Sequence, residues 1–180
     1  MLTAQQQAFV QALEELDLQQ VQRLLTDGLS LNFIDPEKGP VISVWSDGLF
    51  KWWEAICEAY EAGAPLSEQE KQQTLAVHLD ILEQLIHGKA NLHLWDTEEI
   101  YGPLWDAASA ACAPAVKRLL DEKVDPNTKD EDGLTILSSI SDLLFDCDFD
   151  EIQWSDALPE EQQTLELLRR YGAKMSKELA

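Results

Sequence analysis

Short amphipathic segments separated by polar turns follow one another along the whole chain. The clearest stretch reads GPLWDAASAACAPAVKRLLDEKVDPNTKDEDG and carries Pro103 and Pro114, each suited to the first turn of a helix. In its second half Val116, Leu119 and Leu120 recur at helical spacing and therefore share one apolar face. The pattern predicts two short helices packed back to back, followed by an extended polar loop.

The same alternation predicts six further helices. In the longest of them, four apolar positions at spacings of four, three and four form one face, namely Leu75, Leu79, Leu82 and Ile86. Ser67 and Glu70 have the spacing of a capping box that would begin this helix. The predicted helices span residues 3–15, 18–26, 49–63, 68–87, 134–145 and 160–171.

One spaced pattern recurs along the sequence. In the clearest stretch it consists of Leu119, Leu120, Lys123, Asn127 and Asp130. Two earlier segments repeat the spacing, with the residues Leu24, Leu25, Gly28, Asn32 and Asp35, and Leu85, Ile86, Lys89, His93 and Asp96. The last copy, LLRRYGAKMS, has Gly172 at the turn. The turn positions lie 61, 34 and 49 residues apart, so the middle spacing is one repeat and the others contain insertions.

This unit resembles the ankyrin repeat, which has about 33 residues, a Gly-x-Thr-Pro-Leu-His opening and paired leucines before a turn. The third copy is nearly complete, although Trp105 stands where the family has His, and Lys89 and Lys123 stand where it prefers Gly. The resemblance implies an all-α, ankyrin-like stack of about four helix-turn-helix repeats in a single domain of residues 1–180. The repeats would span approximately 3–35, 36–96, 97–130 and 131–175, with insertions near 45–70 and 146–158.

Acidic residues dominate the charge, with 34 Asp and Glu against 13 Lys and Arg and a net charge of -21. This balance argues against binding to nucleic acid or to anionic membranes, and favours a basic protein partner. Between Asp130 and Leu168 twelve acidic residues occur without one Lys, Arg or His. A merely solubilising surface remains the alternative to a docking surface there. Without a long apolar run or a secretory signal, a cytoplasmic location is expected.

Candidate catalytic or metal-binding groups are sparse. His78, His87 and His93 have no zinc-helix spacing, and the first two are expected on the surface of their helix. The cysteines, Cys57, Cys112 and Cys147, are interpreted as small buried side chains. Asp146, Asp148 and Asp150 are spaced like the first three ligands of a calcium-binding loop, at positions 1, 3 and 5. Glu151 and Ala157, however, stand where that loop has its glycine and its bidentate glutamate. Neither an enzyme nor a cofactor or metal is therefore expected.

Aromatic side chains among the acidic residues are the candidate anchors for a partner. Trp105 is assigned to the core. Of the adjacent Trp52 and Trp53, one is expected to pack inward and the other to be exposed. The candidate partner-binding residues are Trp52, Trp95, Asp146, Asp148, Phe149, Asp150, Glu151 and Trp154.

The sequence thus favours a protein–protein interaction module. Small, acidic, ankyrin-like chains with irregular insertions resemble the immunity proteins of bacterial toxin systems, which neutralise basic toxins. That resemblance implies an acidic inhibitor of a basic partner. A general ankyrin adaptor and a nucleic-acid-mimicking regulator remain alternatives, and a monomer is expected.

Overall fold

Helices account for most of the chain in the computed structural model. The structure describes residues 1–93, 102–130, 132–145, 149, 152–155 and 157–179, and for residues 143–145 it describes the backbone alone. The described helices are α1 (Ala4–Glu14), α2 (Leu18–Thr26), α3 (Val41–Glu61), α4 (Glu68–His87), α5 (Pro103–Ser109), α6 (Ala113–Asp121), α7 (Ile136–Phe145) and α8 (Pro159–Arg170). A short hairpin joins β1 (Ile34–Asp35) to β2 (Gly39–Pro40), and a 3-10 turn covers Ser176–Glu178. The mainly helical class expected from the sequence is confirmed.

The chain divides into two compact units, Met1–Pro103 and Leu104–Ala180. In the first unit, α1 packs against α2 and α3, and α4 packs against α2 and α3. In the second unit, α8 packs against both α6 and α7. Among the described residues, no helix combines the length and apolar character needed to cross a membrane.

Capping boxes begin helices α1 and α4. Thr3 Oγ1 accepts a hydrogen bond from the Gln6 amide, and the Gln6 side chain accepts one from the Thr3 amide. Ser67 and Glu70 form the same reciprocal pair at the start of α4, as predicted. Such a cap contributes about 1 kcal/mol, because it satisfies amides that the first helical turn leaves without a partner.

Seven of the described helices end in the same left-handed turn, and four of these turns lie at the positions that the recurring sequence pattern marks. Gly28, Lys89, Lys123 and Gly172 all have positive φ, at 87°, 59°, 69° and 91°. In each case the amide after the turn residue donates to the carbonyl oxygen four positions before the turn residue, as the Val124 amide does to the Leu119 carbonyl at 3.3 Å. This is the Schellman geometry, so both lysines adopt the left-handed conformation that glycine occupies in the other two copies.

An asparagine side chain links neighbouring copies within each unit. Asn32 Oδ1 accepts a hydrogen bond from the Asn91 amide at 3.2 Å. Asn127 Oδ1 accepts one from the Lys174 amide at 2.9 Å, and its Nδ2 donates to the Gly172 carbonyl. The two asparagines occupy equivalent positions of the pattern and bond to equivalent amides of the next copy.

The central helix of the first unit differs from its predicted form. α3 begins at Val41 instead of residue 49, and both Trp52 and Trp53 are buried, at 8% and 5% exposure. The expectation that one of them is exposed is wrong, because α1 and α4 both pack against this helix. Trp45 is also buried, and its Nε1 donates to the His78 carbonyl at 2.9 Å.

The inward face of α4 also differs from the predicted stripe. Leu82 is fully buried, but the other three predicted positions are only half-buried. His78, Ile81 and Leu85 complete the buried face instead. The predicted surface position of His78 is therefore wrong, since its side chain is only 2% exposed.

Candidate interaction surfaces

The structure describes three of the eight residues predicted to bind a partner. Trp52 belongs to the core and offers almost no surface. Phe149 and Trp154 are half-buried and contact each other. The remaining five lie outside the described residues: Trp95, Asp146, Asp148, Asp150 and Glu151. Asp96 of the repeat pattern and Cys147 lie outside them too.

An aromatic pair anchors the described part of the acidic segment. The ring centroids of Phe149 and Trp154 are 5.5 Å apart, with an edge-to-face angle of 73°. Between them in sequence, Ile152 is buried at 6% exposure. The guanidinium carbon of Arg169, in the last turn of α8, lies 5.7 Å from the Phe149 ring centroid. Apolar packing and a cation–π contact with Arg169 therefore hold this segment against α8.

Arg169 also holds the C-terminal 3-10 turn. Its two terminal nitrogens donate to the two carboxylate oxygens of Glu178, at 2.5 and 2.9 Å. Glu178 further accepts a hydrogen bond from the Met175 amide at 2.6 Å. These hydrogen bonds, the Arg169 bonds first, lower the pKa of Glu178 to about 2. One guanidinium therefore serves both the aromatic pair and the C-terminal turn.

Hydroxyl groups fasten the same turn to the start of α7. The Thr135 amide donates to Ser176 Oγ at 2.8 Å, and Thr135 Oγ1 donates to the Lys174 carbonyl at 2.6 Å. The Ser176 amide in turn donates to Ser138 Oγ at 2.7 Å. The acidic segment, α8, the C-terminal turn and α7 are thus joined by one continuous set of contacts.

A second surface, which sequence reasoning missed, lies on the outer side of α3. Phe50, Glu54, Cys57 and Glu61 recur at spacings of four, three and four, so they form one stripe along the helix. We call this stripe, with Glu58 at its margin, the α3 face. Phe50 is 39% exposed, whereas Tyr60, which is 60% exposed near the end of the helix, lies on the side of Leu49 and Ile56. The spacing was readable in the sequence, but the exposure of Phe50 was not.

The three histidines occupy unrelated environments. His78 is buried in α4, its Nδ1 has no hydrogen-bond partner among the described residues, and burial lowers its pKa to about 4. His87 is exposed as predicted, with Nδ1 2.7 Å from the Glu83 carbonyl oxygen. His93 is exposed, and its amide donates to Asn91 Oδ1. Within the described ranges, no three His, Cys, Asp or Glu side chains converge in a way that could hold a metal ion.

A shallow groove between α6 and α8 carries an ionic pair. Lys117 donates to Asp121 at 2.6 Å, and the Tyr171 hydroxyl donates to the same carboxylate at 2.7 Å. The hydrogen bond to Asp121 raises the pKa of Lys117, and those from Lys117 and Tyr171 lower the pKa of Asp121. Both groups therefore stay charged at neutral pH, which suits a structural ion pair better than proton transfer. Cys112 nearby in sequence is buried, as predicted, and burial raises the pKa of its thiol to about 11. Cys57, which was also predicted to be buried, is only half-buried.

No protein-family model and no curated protein sequence matches this chain. A functional interpretation therefore depends on the recurring turn, the charge and the two surfaces described above.

Proposed function

We propose that this chain is a protein-binding module of ankyrin-like repeats that binds a basic partner. The observation that carries the proposal is the anchored aromatic pair, Phe149 and Trp154, inside the most acidic part of the chain. Tryptophan and phenylalanine supply contact area at interfaces, and surrounding carboxylates select a cationic partner. The Arg169 contact adds pre-organisation, which lowers the entropic cost of binding.

The repeat assignment draws support from the backbone. All four turn positions of the recurring pattern are left-handed, and Asn32 and Asn127 make equivalent bonds to the next copy, which the left-handed turns after α1, α3 and α5 do not share. Repeat modules of this kind bind other macromolecules through loops and exposed helix faces.

The specific function that we favour is that of an acidic inhibitor of the immunity type, which neutralises a basic toxin. A charge of -21 would steer a cationic protein toward the acidic surface. Electrostatic steering accelerates association by roughly 10- to 1000-fold at low salt, and rapid capture is what a toxin antagonist requires.

The test compares two variants with the same net charge. The loop variant combines Asp146→Asn, Asp148→Asn, Asp150→Asn and Glu151→Gln. The control variant combines four exposed acidic positions of the first unit, Glu15→Gln, Asp27→Asn, Glu37→Gln and Asp80→Asn. Each raises the net charge from -21 to -17, because four carboxylates are neutralised.

The partner is first purified with the chain from its own cells, and its dissociation constant is then measured with each protein. We expect the loop variant to bind at least about tenfold more weakly and the control to change by less than about threefold. Binding should also weaken in 0.5 M salt, where the Debye length is only about 4 Å. Equal affinities for both variants would refute the proposed site. Growth of cells that produce the partner, with or without the chain, separates an inhibitor from an adaptor.

A further inference from the structure

We infer that α7 and α8 form a hinged pair. The two helices part at the end where the loop 146–158 joins them, and they stay fastened to each other at the opposite end. This inference goes beyond the proposed function, because it concerns a movement within the second unit and does not depend on which partner the chain binds.

Hydrogen bonds close the fastened end, where the start of α7 lies beside the turn that follows α8. The Thr135 amide donates to Ser176 Oγ at 2.8 Å, and the Ser176 amide donates to Ser138 Oγ at 2.7 Å. Thr135 Oγ1 donates to the Lys174 carbonyl at 2.6 Å. Thr135 and Ser138 are both buried, and each hydroxyl has its partner, so burial of these groups is compensated.

The loop end of the same pair buries hydroxyl groups that are not compensated. Ser141, in the second half of α7, is fully buried, and Thr164, in the first half of α8, is 1% exposed. Ser141 Oγ and Thr164 Oγ1 have no hydrogen-bond partner among the described residues, although α7 and α8 pack against each other. Such a group has lost its hydrogen bonds to water and gains none in the folded state. Both hydroxyls would regain water if the helices parted here.

A carboxylate at the same end adds to this asymmetry. Glu161, in the first turn of α8, is half-buried and accepts a hydrogen bond from the Leu158 amide at 2.8 Å. It precedes Thr164 by three positions and Leu165 by four, so it lies on their side of the helix. Burial raises the pKa of the Glu161 carboxyl, and opening would return the charged group to water. The polar groups that gain from exposure therefore lie at the loop end.

The C-terminal end of α8 is fixed by two further contacts. Arg169 donates to both carboxylate oxygens of Glu178, and the Tyr171 hydroxyl donates to Asp121 at the end of α6. The pivot is therefore placed at this end, near the turn that follows α8. Because the loop 146–158 connects the two ends that part, each opening changes the distance that this acidic loop has to span.

Hydrogen exchange of the free chain, read by mass spectrometry under native conditions, tests the hinge directly. We expect amides around Ser141 and Thr164 to exchange at least about tenfold faster than those of α6, after correction for intrinsic rates. A tenfold ratio corresponds to an opening free energy about 1.4 kcal/mol lower. Equal protection in α6, α7 and α8 would show that these helices open only together, and would overturn the inference.

A double variant separates the hinge from ordinary fraying of helix ends. Ser141→Ala/Thr164→Val removes both unpartnered hydroxyls and changes no charge. We expect exchange around the two positions to slow by about tenfold while α6 stays unchanged. The control Ser138→Ala removes a hydroxyl that has its partner and should instead accelerate exchange of the C-terminal turn.

The double variant can also contradict the inference. Unchanged or faster exchange around positions 141 and 164 would mean that the two hydroxyls are hydrogen-bonded in solution, for example through a bound water, and that they hold the helices together. Since the partner takes no part in this measurement, its outcome is independent of the test of the proposed function.

Discussion

Lowering the pH from 7.5 to 4.5 is the perturbation that His78 should report most clearly. His78 is 2% exposed within the first unit, and no group in the described part of the chain forms a hydrogen bond with its Nδ1. Protonation in the folded state would therefore bury an unpaired charge, and burial lowers the pKa from 6.5 to about 4.

The size of the effect follows from the two pKa values. Between pH 6.5 and about 4 the unfolded chain binds a proton at this histidine and the folded chain does not. Stability is therefore fully present above pH 6.5 and falls as the pH decreases through this window. For this group alone, the loss between pH 7.5 and pH 4.5 is about 2.5 kcal/mol. That is a large part of the roughly 5–15 kcal/mol by which domains are stable.

The assay is urea unfolding at several pH values, followed by tryptophan fluorescence, for the wild type and for His78→Leu. Leucine has a comparable size, cannot be protonated and removes the unpartnered nitrogen. Subtracting the two pH curves cancels the carboxylates, whose titration is common to both proteins. We expect the free energy of unfolding of the variant to fall by about 2.5 kcal/mol less than that of the wild type between pH 7.5 and 4.5.

His87→Leu, at an exposed position of the same helix, is the matched control for the change of residue type. If the wild type and His78→Leu lose stability in parallel as the pH falls, then burial does not hold His78 neutral in the folded state.

Three further substitutions test the local geometry. Gly88→Ala should lower the free energy of unfolding by about 1–3 kcal/mol, because the new Cβ would lie 2.7 Å from Leu31 Cδ1; a thermal unfolding curve like that of the wild type would contradict this. Lys123→Gly should raise stability by up to about 1 kcal/mol in chemical denaturation, because φ is 69° there, and a loss would show that the lysine side chain has a structural role. Glu178→Gln should weaken the bonds to Arg169 and accelerate hydrogen exchange of the C-terminal turn, and unchanged exchange would argue against that link.

Helix positions were predictable because their causes are local. The bounds 18–26 and 68–87 agree with α2 and α4, since apolar periodicity and the Ser67 capping box lie within the segments themselves. The recurring pattern also has a local cause, because a left-handed turn ends the helix at each of its four turn positions. The start of α3 was misjudged, since the stretch from Val41 to Gly48 mixes serine and glycine with apolar residues and has no side-chain cap.

The inward face of a helix was harder to predict than its bounds. On α4 the buried set contains His78, Ile81 and Leu85, displaced by one position from much of the predicted stripe. One residue is a rotation of 100° about the helix, and several apolar stripes are available in such a sequence. The position of the neighbouring helices decides which stripe is buried.

The sequence by itself determined most of the helix bounds, the Ser67 cap, the recurring turns and the acidic charge, because each depends on residues within a few positions or on composition alone. Only the tertiary structure decided which aromatic side chains meet solvent. Trp52 and Trp53 are covered because α1 and α4 pack against α3, whereas Phe50 and Tyr60 on the same helix stay exposed. Likewise, the contact of Arg169 with both Phe149 and Glu178 joins residues distant in the chain. Burial and pairing of this kind depend on which elements approach in space, which no local pattern of residues records.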